Sequence, residues 1–454
     1  MEQNRVDATA IRRRLGTCAD LNIHPLQLGD TSATAFFIDG LVSVVQISEQ
    51  VIKPAMENLT EGTAEEKFSR MLTGGVYNAV AKEAVGEDAA VMALLNGFCL
   101  ITLDSIGRGV IFETKTGEKR APSAPQVEST VKGAKDAFTE TSRTNTSLVR
   151  RHIRSDKLQV EEFVVGKNSG TNVSMLFLQG TADEFLVSMV RKRLKTLKEP
   201  AMVSPSAVET ALAGARKTAF PMLQYTERTD KFSQGLLLGQ VGVLVDGLPQ
   251  GYLLPVDLGK FMTSQEDRGV DYITASAIRA LRYFSLICAL FLPAFYVAMA
   301  CFHPQMIPTR LLETIAQSKK NVPFPTAAEV LALLTAFEIL QEAGLHLPRA
   351  IGQTVSIIGG LVVGSAAVEA GFISPAALIV VSVSGICGFA VPGKDFTDAI
   401  RIWRAVLALC AAFLGLYGLT LGGLVLLGHL SALTSCRRPY LRGEGILFSP
   451  KRGQ

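Results

Sequence analysis

The chain has 454 residues, 48% of them hydrophobic, and a formal net charge of +4. That length exceeds one compact core and suits two or three domains. The mild charge, with no dense Lys/Arg stripe interleaved with aromatics, excludes a nucleic-acid surface. Seven scattered cysteines without a C-x-x-C and five dispersed histidines predict neither a disulfide framework nor a metal site.

Hydropathy is uneven along the chain. Residues 1–283 carry most of the charge, 284–435 are largely apolar, and a basic tail follows. The first segment of the chain, 1–32, is polar. It contains Arg12, Arg13 and Arg14 but no apolar signal-peptide core, so export of the N-terminal region is not expected.

An α/β subdomain is predicted over 33–126. Within it, "ATAFFIDGLVSVVQI" (33–47) reads as strand, turn, strand. "SEQVIKPAMENL" (48–59) reads as a helix capped by Ser48, and 90–112 as a helix end, strand, turn and strand. A connecting segment, 127–170, reads as helix then strand. A second α/β subdomain is predicted over 171–270, with a strand at 171–180, a helix at 182–197, and a helix end, strand, turn and strand at 232–255.

The two passes share spacings. Gly40 precedes Gly97 by 57 residues and Gly180 precedes Gly239 by 59. Asp104 and Asp246 each follow the later glycine by seven. A glycine suits a helix stop and an aspartate suits a turn, so the spacing points to a duplicated α/β unit.

A helical membrane domain is predicted over 271–435. "FSLICALFLPAFYVAMACF" (284–302) has no charge and would span roughly 28 Å as a helix. Further spans are read at 353–370, 374–391 and 405–430, with Pro375 in the first turn of a helix. The shorter, more polar 330–345 reads as re-entrant or interfacial. Four spans then return the basic tail, 436–454, to the cytoplasmic side, whereas five would put it opposite the N-terminus.

Two glutamates, Glu338 and Glu342, stand one helical turn apart in 330–345. A carboxylate in apolar sequence faces water, a partner or an ion path, unless the helix simply lies at headgroups. With Thr335, Gln353 and Glu369 they form a candidate ion path. Ser356, Gly360 and Gly364, and separately Gly418 and Gly422, are small residues spaced for close helix packing, within the bundle or between subunits. "GFAVPGKD" (388–395) resembles a phosphate loop, but Asp395 stands where a magnesium-binding hydroxyl belongs and Pro392 removes an amide. No G-x-S-x-G, H-E-x-x-H or complete P-loop is present, so no enzyme, catalytic residue or cofactor is expected.

Several short motifs resemble the A subunits of the GerA family of bacterial spore germinant receptors. They include "HPQMIPT", "VPFP", "FEILQEAG", "LPRAIGQ" and "AVEAGFISP" within 303–375, with "FFIDGL" and "TERTDKFSQGLLLGQVGVLVDGLP" upstream. The likeness runs from about residue 33 to residue 441.

It implies a spore inner-membrane protein with a cytoplasmic α/β region. It also implies a transporter-like B subunit and a lipoprotein C subunit as partners, and a homo-oligomer that forms or gates a nutrient-triggered ion path. Departures fall at charged or turn positions: "GAKDAF" (133–138), Thr229, Leu238, Gln341 and His346. They leave open an accessory paralogue of the stage V sporulation AF type. A secondary transporter or a membrane organiser are the alternatives from other classes.

Overall fold

A computed structural model describes residues 5–115, 125, 128, 133–197, 201–202, 204–214, 218–346 and 364–441. The chain forms two units. One comprises Met1–Ala215 and Leu223–Pro255, the other Arg216–Met222 and Val256–Gln454.

The first unit holds two five-stranded antiparallel sheets. Its first half runs α1 (Ala8–Leu15), β1 (Leu21–Leu28), β2 (Thr31–Ile38), α2 (Val44–Gln46), a π-helical turn (Ile47–Ile52), α3 (Lys53–Asn58), α4 (Ala64–Thr73), β3 (Ala81–Ala84), α5 (Glu87–Leu95), β4 (Phe98–Leu103) and β5 (Arg108–Glu113). The second half runs α6 (Ser142–His152), β6 (Leu158–Val165), β7 (Thr171–Leu178), α7 (Glu184–Thr196), α8 (Pro205–Ala213), β8 (Gln224–Thr226), α9 (Thr229–Leu237), β9 (Val241–Val245) and β10 (Gly251–Leu254).

The sheet orders are β1-β2-β4-β5-β3 and β6-β7-β9-β10-β8, the same arrangement strand for strand. The shared spacings therefore mark one topology used twice. Gly97 and Gly239 both have φ +82. Each follows a helix and starts the next strand, and an added Cβ would lie 2.9 Å from the Leu41 carbonyl oxygen or 2.8 Å from that of Thr181. At the other end of those strands, the Asp104 amide donates to Ser32 O at 3.3 Å and the Asp246 amide to Asn172 O at 2.9 Å.

The structure differs from the sequence reading in several places. The segment read as polar, 1–32, contributes α1 and β1 to the first half. Asp7 caps α1 by accepting from the Thr9 amide at 2.9 Å. β1 carries Pro25, which an edge strand tolerates, and buries Leu26 and Leu28. The predicted strand through 47 is instead helix from Val44, with Ser43 rather than Ser48 as its cap. The valine-rich stretch Val42–Val45 reads as strand, but within it only Val42 bridges a neighbour, Lys115. The segment 127–170 contains the expected helix and strand, and its β6 is the edge of the second sheet.

A buried ion pair joins the two halves. Arg150 and Asp20 are each about 1% exposed. Arg150 Nε donates to Asp20 Oδ2 at 2.5 Å and Nη2 to Oδ1 at 2.8 Å. Burial alone would favour loss of the Arg150 proton. The adjacent Asp20 carboxylate outweighs this and raises its pKa.

The second unit is helical: α10 (Leu258–Phe261), α11 (Tyr272–Phe302), α12 (Thr309–Ser318), α13 (Thr326–His346), α14 (Pro375–Phe389) and α15 (Lys394–Ala432). Two of these, α11 and α15, are long and apolar enough to cross a membrane; α14 is a shorter apolar helix.

α15 is not one straight rod. Gly415 has φ 61 and ψ −139, and the chain reverses there. Trp403 and His429 lie 5.8 Å apart between ring centroids, with their planes tilted by 36°, and a Cβ on Gly422 would sit 2.8 Å from Leu407 and 3.5 Å from Cys410 Sγ. Thus 394–414 and 416–432 are antiparallel arms of roughly 31 and 25 Å. The single span read at 405–430 is replaced by this hairpin, because Gly415, inside an apolar run that reads as one helix, is a turn.

α13 is 21 residues long, and its Val330, Leu333 and Leu334 join the core formed by α11, α14 and α15. At their starts, the Ser374 amide donates to Glu329 Oε2 at 3.1 Å. Further along, Phe337 lies 6.5 Å from Phe389 between ring centroids. α13 and α14 therefore run parallel. Gly364, the first residue described beyond α13, is already beside Leu378 near the start of α14.

Candidate charged site in the helical unit

Glu338 is placed by α13, and its carboxylate meets the first arm of α15. Arg404 Nη2 donates to Glu338 Oε1 at 2.6 Å. Arg404 is 5% exposed, while Glu338 is 38% exposed. Arg401 lies 3.8 Å from the other carboxylate oxygen and 3.0 Å from Asp398. Arg404 Nη1 also donates to Ser384 Oγ at 3.5 Å, and that hydroxyl donates to the Ala289 carbonyl at 2.9 Å. One polar chain thus touches α13, α15, α14 and α11.

The physical reason is the cost of charge in apolar surroundings. A lone ionised side chain mid-membrane costs ~2.5–3.5 kcal/mol on insertion scales, and pairing offsets much of it. Ser384 also gives the buried guanidinium a second partner. The local sum is two arginines against Glu338 and Asp398, so this level of the bundle is near neutral rather than acidic.

The other candidate residues divide. Thr335 is exposed, and its hydroxyl donates back to Leu331 O at 2.8 Å. Glu342 is exposed on the same helix. Glu369 is exposed at the end of a helical stretch, 364–369. Gln353, Ser356 and Gly360 lie outside the described residues. Gly364 packs against Leu378, and Gly418 and Gly422 pack inside the α15 hairpin, where a Cβ on Gly418 would overlap the Cys410 carbonyl at 2.1 Å.

Sequence reasoning missed a carboxylate buried at the start of α13. Glu329, with its side chain fully buried, accepts from Ser374 Oγ at 2.7 Å and lies 3.2 Å from Lys319 Nζ. Ser374 also caps α14 by accepting from the Ala377 amide. Lys319 donates to Thr326 as well. Arg401 and Arg404 were visible as cations flanking an apolar run. What they pair with is a long-range contact that no local pattern encodes. Among the described residues no cluster of three or more His, Cys, Asp or Glu side chains could hold a metal.

In the first unit, the "GAKDAF" and "TERTD" segments meet. The Phe138 amide donates to Glu227 O at 2.8 Å. Arg228, 1% exposed, donates to Asp230 and to the Ala134 carbonyl. Thr229 Oγ1 donates to Asp136 Oδ2 at 2.6 Å, and His152 Nε2 lies 3.1 Å from the same oxygen. The His152 hydrogen bond, helped by Thr229 against the opposing effect of burial, lowers Asp136 to about 2.

A duplicated antiparallel α/β unit followed in the chain by a helical unit, with two helices long and apolar enough to cross a membrane and an internal ion pair, defines a two-part architecture. The chain belongs to the Bacillus/Clostridium GerA spore germination protein family, whose model matches residues 9–447. Spore germination protein KA of Bacillus subtilis (strain 168) is 33% identical over 437 residues, 95% of this chain and 79% of that protein. Spore germination protein A1 of the same organism is 36% identical over 361 residues, 80% and 75% of the two chains. The uncharacterized membrane protein YfkQ, also from that strain, is 34% identical over 94% of this chain and 83% of its own. Among solved structures, the N-terminal domain of the A subunit of the Bacillus megaterium spore germinant receptor GerK3 aligns at 25% identity and a TM-score of 0.41. It covers 54% of this chain and 91% of that one.

Proposed function

We propose that this chain is an A-type subunit of a spore germinant receptor. It sits in the spore inner membrane, oligomerises, and forms or gates an ion path opened by a nutrient signal. Its partners on this reading are a transporter-like B subunit and a lipoprotein C subunit. The observation that carries the reading is the family match over both units, residues 9–447.

Charge supports the orientation. At the end where α11 begins, Phe261 stacks with Phe396 at 5.5 Å and lies 6.2 Å from Tyr440. That end gathers Lys260, Arg268, Arg279, Arg282, Lys394, Arg437 and Arg438, whereas Arg310, Lys319 and Lys320 lie towards the other. The positive-inside rule makes the first end cytoplasmic, and with it both chain termini.

The Glu338–Arg404 pair is the closed state of the path in this proposal. Separating the pair frees the Glu338 carboxylate to act with Glu342 on cations, as acidic rings do in cation channels. Purified protein in liposomes tests it. The expected result is cation conductance that falls when Glu338 and Glu342 are both changed to Gln. Conductance and germination equal to the parent would remove the carboxylates from the path. A protein that never conducts, yet whose deletion blocks germination, would be an organiser instead.

A further inference from the structure

We propose that α12 (Thr309–Ser318) lies in the plane of the membrane surface with its apolar edge against phospholipid. This rests on the membrane reading above. At about 100° per residue, Leu311, Ile315, Leu312 and Ala316 fall on one continuous arc of the helix. Thr309, Glu313, Gln317, Arg310, Thr314 and Ser318 fill the other. So clean a division calls for two media, one apolar and one wet. Yet no residue of α12 is buried. Ile315 touches the helical core, but the Leu311 edge is uncovered at 52% exposure.

The flanking segments also carry exposed apolar side chains. Phe302 at the end of α11, Met306 before α12, and Phe324 after it are each at least 42% exposed. Along the chain, exposed apolar residues therefore run on from the long helix α11 through α12. The exposed cations Arg310 and Lys320 lie at either end of α12, placed for lipid phosphates. A second copy of the chain is a poorer occupant. On α12 alone the open edge of a ten-residue helix falls well short of the ~800 Å² per partner of a stable protein interface, so a second copy would have to cover the apolar surface of the long helices as well.

The fold holds α12 at that level. Lys319, directly after the helix, is bound to the fully buried Glu329, and Asn321 O lies 3.2 Å from where a Cβ on Gly371 would be. The helix is thus anchored at its C-terminal end to the start of α13 and α14, while its outer edge stays exposed.

Trp403 is the one tryptophan of the chain, which permits a direct test. Two single-tryptophan variants are made in full-length Trp403→Phe protein and placed in phospholipid nanodiscs. Leu311→Trp reports α12, and Phe413→Trp reports the outer face of the α15 hairpin. For the Leu311→Trp variant, the expected result is loss of emission with lipids brominated near the headgroup. A smaller loss is expected with bromine near the chain end, and little quenching by aqueous iodide. Iodide quenching of the Leu311→Trp variant without lipid quenching, while the Phe413→Trp variant is quenched by lipid, overturns this inference and leaves the membrane reading intact. Protection of the Leu311→Trp variant from both quenchers means a protein partner covers position 311 and also overturns the inference. If neither variant responds to lipid, the membrane reading itself fails. Met306→Trp repeats the measurement should Leu311→Trp not accumulate.

Discussion

Trp403 and His429 face each other with ring centroids 5.8 Å apart. In a straight helix they would be separated by ~39 Å. The reversal at Gly415 brings them together and turns one long apolar helix into two antiparallel arms. Thr218 Oγ1 lies 2.8 Å from His429 Nε2 and further fixes that end of the returning arm.

Replacing Gly415 should therefore be damaging for two separable reasons. Its φ of 61 with ψ −139 is strained for any other residue, and a Cβ would lie 2.8 Å from Phe302. Gly415→Ala is expected to lose about 1–3 kcal/mol in detergent melting. The nearest atom is the Phe302 Cβ itself, so adding Phe302→Gly, measured against Phe302→Gly alone, should recover only the steric part. Full recovery would mean the backbone conformation itself is not strained.

The Glu338–Arg404 pair should show coupling in a double-mutant cycle. Arg404→Met leaves a half-buried carboxylate and Glu338→Gln leaves a buried guanidinium. The double variant should lose less than the sum of the two single losses, with a coupling of about 1–3 kcal/mol. Additive losses would show that the contact contributes nothing of its own.

Asp20 and Arg150 form a fully buried ion pair in the first unit, about 1% exposed on each side. Asp20→Asn should cost about 3–5 kcal/mol, because the guanidinium remains buried without its counter-charge. Chemical unfolding of the full chain measures it. A loss of a few tenths would show that the guanidinium finds water or another acceptor.

Acid should release the joint between Asp136, His152 and Thr229. Asp136 is held at about 2, below its ordinary 3.8. A lowered carboxylate adds stability above the unfolded value and loses it as pH falls from 3.8 towards 2. The stability gap between the parent and Asp136→Asn should therefore close across that window. A gap of constant size down to pH 2 would show that the joint does not depend on charge.

The repeat makes a paired prediction. Gly97→Ala and Gly239→Ala face the same φ and nearly the same carbonyl contact, at 2.9 and 2.8 Å. Both should destabilise by at least ~1 kcal/mol and by similar amounts. A large loss at one and none at the other would show that the matching backbone is not matched in rigidity.

Much of this architecture was legible in the chain itself. Local rules carry the strand-turn-strand runs at 98–113 and 241–254, the helix over 184–196, and Pro375 in the first turn of its helix. The Gly-to-Asp spacings revealed the duplication because each glycine must take a positive φ, which few other residues accept. The family motifs were equally readable, since they are strings.

What the sequence could not show were relations between distant residues. An edge strand with a proline looks like a loop until a neighbour pairs with it, as β2 pairs with β1. Glycines in an apolar run signal close packing, and only the folded chain, with the Gly415 backbone and Trp403 beside His429, shows that Gly415 is a reversal. Glu338 announces a carboxylate in apolar sequence, but its meaning depends on Arg404, on another helix. Hydropathy and periodicity determine which faces must be buried. The tertiary structure alone decides what each buried charge is buried against, because electrostatic pairing depends on separation in space rather than position along the chain.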